Sequence, residues 1–171
     1  MNRSLALFPL LVVLALAGCA AVGQAATPTP AATAGAGTTC ADDTGVSVVV
    51  DFGVLAAPSI DACVDAGPAA DALKAAGIST EGTVAYGDQV VCRVDDRPGP
   101  NETVTVAGQA PFVEACQSMP AATAYWALWV KNSRSGEWEY AQEGLGTLQV
   151  KDGQSLGLVY TAGTDSTPPS S

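Results

Sequence analysis

The chain has 171 residues, of which 17 are acidic, seven are basic and none is histidine, so its formal net charge is −10 at pH 7. A chain of this charge repels the phosphates of nucleic acids and of anionic lipid headgroups, which excludes nucleic acid as a partner. The lack of histidine removes the commonest general base and the Ser-His-Asp triad, and no G-x-S-x-G, S-x-x-K or P-loop pattern occurs. We therefore expect a protein that is not an enzyme.

Residues 1–18 have the pattern of an export signal. Arg3 precedes an apolar run over residues 5–18 that is too short to span a bilayer comfortably and ends in small residues. The stretch LALAGCAA resembles a bacterial lipobox, and the resemblance implies cleavage before Cys19 and a diacylglyceryl group on its sulfur. An ordinary signal peptide cleaved after Ala26 is the alternative. Because two acyl chains hold a protein stably on a membrane, we expect Cys19 to anchor the chain at the extracytoplasmic face of the cell membrane.

Two segments outside the predicted domain lack a regular apolar pattern. Residues 19–39 are dominated by alanine, threonine, glycine and proline and carry no charge, which is typical of a flexible tether. Residues 163–171, GTDSTPPSS, predict a disordered tail by the same reasoning. Residues 40–162, about 120 in number, are sufficient for one domain with its own core.

The domain alternates short strand patterns with one helix pattern. A β-branched run predicts a strand over residues 45–55, and an alanine-rich run between proline and glycine predicts a helix over 67–77. Residues 111–120 are ambiguous between a short helix and a loop. A hairpin of two short strands is predicted around Asp152-Gly153. Further strands or hairpins are predicted over residues 83–96, 102–106, 123–130 and 137–142. This order of elements favours an α+β fold with one helix packed on a mixed or antiparallel sheet.

The domain keeps four cysteines, Cys40, Cys63, Cys92 and Cys116. An even number of cysteines in an exported chain predicts disulfides, and three pairings are possible. We favour Cys40–Cys63 with Cys92–Cys116, because these pairs close two loops of similar length, each contributing about 3 kcal/mol. A four-cysteine zinc site would need close pairs such as C-x-x-C, and the sequence has none.

The acidic residues raise two further hypotheses, a calcium site and a hydrolytic site. Asp95, Asp96 and Glu102 lie close in sequence and are a candidate calcium site, but calcium takes six or more oxygen ligands, so we favour solvated turn acids. A hydrolase working with carboxylates would need two acids brought to within about 5 to 10 Å in a cleft. We expect no metal and no cofactor.

The aromatic residues are concentrated in one stretch, residues 122–140. Alternation along AYWALWVK places Tyr125 and Trp129 on one face of a strand and Trp126 on the other. Two apolar faces predict a central strand covered by the helix on one side and by another part of the chain on the other. One interpretation is that the aromatic residues are core. The other is an aromatic platform for a planar ligand or a sugar, made by Tyr125, Trp126, Trp129, Trp138 and Tyr140.

Six short stretches of the domain form a recognisable series: VVVDFG, DALKAAG, VVCRVDDRPG, MPAATAYWALWV, GEWEYAQEGLG and VKDGQSLGLVY. The series resembles a family of bacterial secreted proteins and lipoproteins related to the transcobalamin-like C-terminal domain. The resemblance covers residues 45–161 and implies a compact β-grasp-like module. It rests on Leu73, Ala76 and Gly77 in the helix, Tyr125, Trp126 and Trp129 in the aromatic strand, and Asp152 and Gly153 in the last turn.

The resemblance also shapes the functional expectation. In transcobalamins this module covers one face of a corrinoid that a separate helical domain mainly holds. The chain departs from the module at CRVDDRPG, with Cys92, where the module usually reads ING, so no cobalamin contact is carried over. We expect a lipid-anchored extracytoplasmic binding or accessory module, for a planar small molecule such as a corrinoid or for a membrane transport protein. The alternative is a structural or protein-interaction domain of the cell surface with no small-molecule ligand.

Overall fold

The computed structural model describes residues 38–163 and 166–170. The predicted signal peptide, the lipidation site Cys19 and nearly all of the predicted tether lie outside the described residues. Within these ranges, no helix has the length and apolar character that crossing a membrane requires.

The described chain contains one α-helix, one short 3₁₀ helix at Gly53–Leu55 and eleven strands, most of them short. An α+β fold is therefore confirmed. In chain order the elements are β1 (Val46–Asp51), β2 (Ile60–Val64), β3 (Gly67–Pro68), α1 (Ala69–Ala75), β4 (Thr80–Thr83), β5 (Gly87–Val94), β6 (Thr103–Val104), β7 (Phe112–Val113), β8 (Ala124–Lys131), β9 (Trp138–Tyr140), β10 (Gln149–Val150) and β11 (Ser155–Ala162).

The main sheet has five strands in the order β2-β1-β11-β8-β9. The first and last strands of the domain, β1 and β11, lie side by side and parallel, and every other pair in this sheet is antiparallel. The β-branched run VSVVVD makes β1, which is buried over almost its whole length. Strand β1 is shorter than the strand predicted over residues 45–55, because Gly53 takes a left-handed φ of 50° and the chain turns into the 3₁₀ helix.

Helix α1 is shorter than the predicted helix over 67–77. Gly67 and Pro68 form β3 instead, and Gly77, with a φ of 79°, ends the helix. Ala69, Ala72 and Leu73 are its buried residues. They pack on β1 and on the side of the sheet that carries Val48, Trp126 and Leu158, which we call the helix face.

The ambiguous segment 111–120 contains the short strand β7, paired with β6, and no helix. The predicted hairpin around Asp152-Gly153 is wrong in its pairing, because β10 pairs with β3 and β11 crosses between β1 and β8. Asp152 and Gly153 nevertheless form a turn that is held to Gly45. The Gly45 N–H donates to Asp152 Oδ1 at 2.9 Å, and the Gly153 N–H donates to the Gly45 carbonyl at 2.9 Å.

Both predicted disulfides are present. Cys40 pairs with Cys63 and Cys92 with Cys116, at sequence separations of 23 and 24. The first ties the start of the described chain to β2. The second ties β5 to the loop after β7, so each joins elements that are distant in sequence.

The main sheet is covered on both sides at β8, as the alternating aromatic pattern predicts. Trp126 belongs to the large core on the helix face. Ala127, Trp129 and Val159 form a small buried cluster on the opposite side, which we call the second face. Part of the predicted disordered tail lies on this second face, because Pro169 is buried there against Gly157.

Candidate functional site

An open groove of about 650 Å³ lies at one edge of the main sheet. Its walls come from β5, the loop 119–122, the first half of β8 and the segment that follows β9. The groove exists because β9 pairs with β8 only at Trp129–Lys131. In the described chain, the part of β8 before Trp129 therefore has no strand paired with it on the side of β9. Side chains from both faces of the sheet line the groove as a result.

Tyr125 and Tyr140 stand together in the lining of the groove. Their phenolic oxygens are 3.2 Å apart, which is hydrogen-bond distance. Tyr140 is 41% exposed, yet its ring stacks on Trp129 with the ring centroids 4.1 Å apart and the planes 23° apart. This stacking fixes an exposed aromatic ring in one orientation before any ligand arrives, which lowers the entropic cost of binding.

The hydrogen bond between the two phenols also affects the ionisation of Tyr125. The Tyr140 hydroxyl, and after it partial burial, raises the pKa of the Tyr125 phenol above its ordinary value. Tyr125 therefore stays protonated at physiological pH. It offers the groove a neutral hydroxyl that can donate or accept a hydrogen bond, which suits polar groups at the rim of an uncharged ligand.

Trp126 lines the groove from the core side and is fixed by three contacts. Its ring meets Phe52 and Tyr160 edge to face, each with centroids 5.4 Å apart, and its Nε1–H donates to the Arg97 carbonyl at 3.0 Å. Burial raises the pKa of Tyr160 to about 12, so this neighbour is neutral as well. The loop that contains Arg97 is held by Glu102, whose carboxylate accepts hydrogen bonds from the Arg97 guanidinium at 2.6 and 2.8 Å.

The pairing of Arg97 with Glu102 makes a testable prediction about acid stability. Hydrogen bonds from Arg97 hold the pKa of Glu102 below its ordinary value of 4.5. The ionised Glu102 therefore contributes its full stabilisation of the folded protein above pH 4.5, and this contribution is lost as the pH falls through the lowered pKa. We expect Glu102→Gln to lower the free energy of unfolding by about 1 kcal/mol at pH 7 and to flatten its decline below pH 4.5. Urea unfolding across this pH range measures both.

The exposed Glu137 provides a control for that measurement. Glu137→Gln is expected to leave the unfolding free energy at pH 7 and its acid dependence as in the wild type. An equally steep acid decline in wild type and Glu102→Gln would contradict the assigned role of the ion pair.

The five aromatic residues predicted as a platform do not all meet. Tyr125, Trp126 and Tyr140 line the groove. Trp129 and Trp138 do not line it: Trp129 is 6% exposed and supports Tyr140 from below, and Trp138 lies further along the second face. The structure thus places three of the five predicted platform residues in the lining of the groove and leaves Trp129 and Trp138 outside it.

The remaining walls of the groove were not anticipated from the sequence. Gln89 and Val91 come from β5, and Ala141 and Gln142 follow β9. These two walls meet because Gly144 has no side chain, since a Cβ there would collide with the backbone and side chain of Gln89. The glycines of the stretch QEGLGT are the sequence signal for this close approach.

The hydrogen-bonded phenols of Tyr125 and Tyr140 provide a second test. Tyr140→Phe removes the hydroxyl that shares a hydrogen bond with the Tyr125 phenol. The pKa of Tyr125 is therefore expected to fall towards about 10. Spectrophotometric titration near 295 nm follows this change. Tyr86→Phe, at an exposed position outside the groove, is the matched control and should leave the Tyr125 transition where it is in the wild type. An unchanged Tyr125 transition in Tyr140→Phe would show that the two hydroxyls do not interact.

Most of the described groups that were candidates to hold a metal are engaged in other bonds. Among the described residues, Cys92, Glu114 and Cys116 bring three ligand atoms within 4.8 Å of one another, but both sulfurs are in the disulfide. At the candidate calcium site, Glu102 is paired with Arg97, and Asp95 accepts hydrogen bonds from the Ser79 N–H and hydroxyl. Two of the three acids therefore serve the structure of the loop.

No protein-family model, curated protein or solved structure matches this chain. The resemblance to the transcobalamin-like C-terminal domain stays a prediction made from the short motifs of the sequence.

Proposed function

We propose that the protein is a lipid-anchored extracytoplasmic binding module without enzymatic activity, and that its groove takes a planar small molecule such as a corrinoid. The observation that carries this proposal is the groove itself, with Tyr125, Trp126 and Tyr140 in its lining. A volume of about 650 Å³ lies within the range of about 300–1,000 Å³ that is typical of small-molecule sites.

The chemistry of the lining supports a flat and largely apolar ligand. Aromatic rings present flat apolar surface, and the two phenols add hydroxyls at positions fixed by stacking and hydrogen bonding. The Gln89 and Gln142 amides can pair with polar substituents at the edge of such a ligand. Because the groove is open on one side, it would cover one face or edge of a macrocycle rather than enclose it.

The order of the elements supports the finer description of the fold as β-grasp-like. A strand precedes α1, the aromatic strand β8 follows, and β11 closes the sheet after the turn at Asp152-Gly153. This is the order that the resemblance to the transcobalamin-like domain implies. The parallel contact of the first and last strands and the single helix on one face are compatible with it.

Two features support the proposed location. Both pairs of domain cysteines are joined in disulfides, which persist in oxidising compartments outside the cytoplasm. The lipobox-like stretch before Cys19 would supply the anchor. A membrane transport protein is the natural recipient for a ligand held at that surface.

Tryptophan fluorescence of the full chain in detergent tests the proposed ligand class. Cobalamin, haem and simple sugars are titrated with correction for absorbance, and Trp126 at the groove is the reporter. Saturable quenching by a planar compound is expected, and Tyr140→Ala should weaken it about tenfold. Tyr86→Ala removes the same kind of side chain outside the groove, and this variant should bind the compound as the wild type does. Saturable binding of none of these compounds would refute the proposal.

A protein-interaction domain without a small ligand is the second candidate, and one observation favours it. Val84, Tyr86 and Met119 are 75%, 50% and 62% exposed. The loops that carry them are joined, because the Val84 N–H donates to the Cys116 carbonyl at 2.8 Å. Exposed apolar side chains on adjoining loops are typical of a protein contact. If this candidate is correct, Val84→Ser with Tyr86→Ser, both outside the groove, should abolish crosslinking to a membrane protein without changing stability.

A further inference from the structure

The second face of the main sheet has a proline seated on it. Pro169 is buried although the residues beside it, Pro168 and Ser170, are exposed. A Cβ built on Gly157 would lie 2.6 Å from Pro169 Cγ and 3.1 Å from Trp138 Cζ3. The bare backbone of Gly157 therefore leaves a notch in the middle of β11, and the proline ring fills it beside the Trp138 indole.

Few polar contacts hold this segment in place. Ser166 Oγ and Thr161 Oγ1 are 3.1 Å apart, which is hydrogen-bond distance. No backbone hydrogen bond joins residues 166–170 to the rest of the described chain. A segment fixed mainly by one buried proline ring can be exchanged for another that carries a proline at the same place.

Two donors on the same face have no acceptor. The indole N–H groups of Trp129 and Trp138 are buried and make no hydrogen bond within the described chain. Buried donors are almost always paired, so two unpaired indoles side by side are unusual for a purely structural cluster. Pro169 lies against Gly157 together with both tryptophans, yet no oxygen of the described chain accepts from either indole N–H.

An extended proline-containing peptide has the chemistry that these features require. Its backbone makes no internal hydrogen bonds, so its carbonyl oxygens are free to accept from indole N–H groups, and its rings pack on aromatic side chains. Its conformation is also largely fixed before binding, which reduces the entropy lost.

We propose that Trp129, Trp138 and the notch at Gly157 form a binding site for an extended proline-rich segment of a partner protein, and that Pro169 occupies this site in cis when the partner is absent. The partner segment displaces residues 166–170 and supplies the carbonyl oxygens that these five residues do not. This site adjoins the groove, because Trp129 stacks on Tyr140, but neither tryptophan lines the groove itself.

Fluorescence polarisation of labelled peptides tests the proposal on the full chain in detergent. The probes are acetyl-Ser-Thr-Pro-Pro-Ser-Ser, decaproline, and the first peptide with alanine at both proline positions. Because the tail competes in cis, a chain that ends at Gly163 is expected to bind both proline peptides about tenfold more tightly than the full chain. The alanine peptide should bind to neither.

Matched variants locate the binding. Pro169→Ala should strengthen peptide binding towards that of the shortened chain, whereas Pro168→Ala, at the neighbouring exposed proline, should leave it as in the full chain. Gly157→Ala in the shortened chain should abolish binding, with circular dichroism as the check on folding. If that variant does not fold, the comparison of the two proline variants still decides.

Two results would overturn the proposal: no saturable binding of either proline peptide to the shortened chain, or equal affinity for the shortened and full chains. Ala122→Trp, which obstructs only the groove, should not change peptide binding. This variant separates a failure here from a failure of the proposed small-molecule function.

Discussion

Replacing Trp126 by alanine is expected to lower the free energy of unfolding by about 3–5 kcal/mol. The loss has two sources. The buried indole leaves a cavity between Phe52 and Tyr160, and the Arg97 carbonyl loses the donor that satisfies it. Urea unfolding followed by circular dichroism measures the change.

Two companion variants make the interpretation sharper. Trp126→Phe keeps an aromatic ring and removes the N–H, so its cost should fall between that of wild type and Trp126→Ala. Tyr86→Ala truncates an aromatic residue that is half exposed and should change the unfolding free energy by less than about 1 kcal/mol. A cost below about 1 kcal/mol for Trp126→Ala would contradict the assignment of this indole to the core.

Removing the disulfide between Cys92 and Cys116 is expected to cost about 3 kcal/mol. Both residues are buried, and the bridge joins β5 to the loop after β7, which carries one side of the groove. The double variant Cys92→Ala/Cys116→Ala should therefore unfold at lower urea concentration and also bind groove ligands more weakly. Equilibrium unfolding without reductant gives the first quantity, and the fluorescence titration gives the second.

The other disulfide is the matched control, because it closes a loop of nearly equal length away from the groove. Cys40→Ala/Cys63→Ala should lose a similar amount of stability but keep its affinity for groove ligands. Equal loss of ligand binding in both double variants would show that binding depends on overall stability rather than on the position of the loop.

Local patterns in the sequence were sufficient for much of the fold. The β-branched run of β1 and the alternation of β8 gave strands where they were expected, because such patterns reflect which side chains a sheet can bury. The cysteine pairing followed from loop lengths. The partner of β10 could not be predicted in this way, since pairing with β3 depends on how distant segments meet in space.

The candidate site was predictable only in part, for the same reason. Tyr125, Trp126 and Tyr140 were identified by their aromatic character, but alternation alone does not show that β9 stops short and opens an edge of the sheet beside them. The position of Pro169 was missed because the composition of the tail is typical of disorder. The features that seat it, Gly157 and Trp138, lie elsewhere in the chain.

Equilibrium dialysis of cobalamin and of haem against three forms of the full chain tests the proposed binding groove most directly. Ala122→Trp places a large side chain at an exposed position in the groove wall, and Ala107→Trp does the same at an exposed position outside it. Wild type and Ala107→Trp are predicted to bind one of these compounds saturably, and Ala122→Trp at least about tenfold more weakly. Equal affinity in all three forms, or no saturable binding by wild type, would contradict a planar-ligand site in the groove.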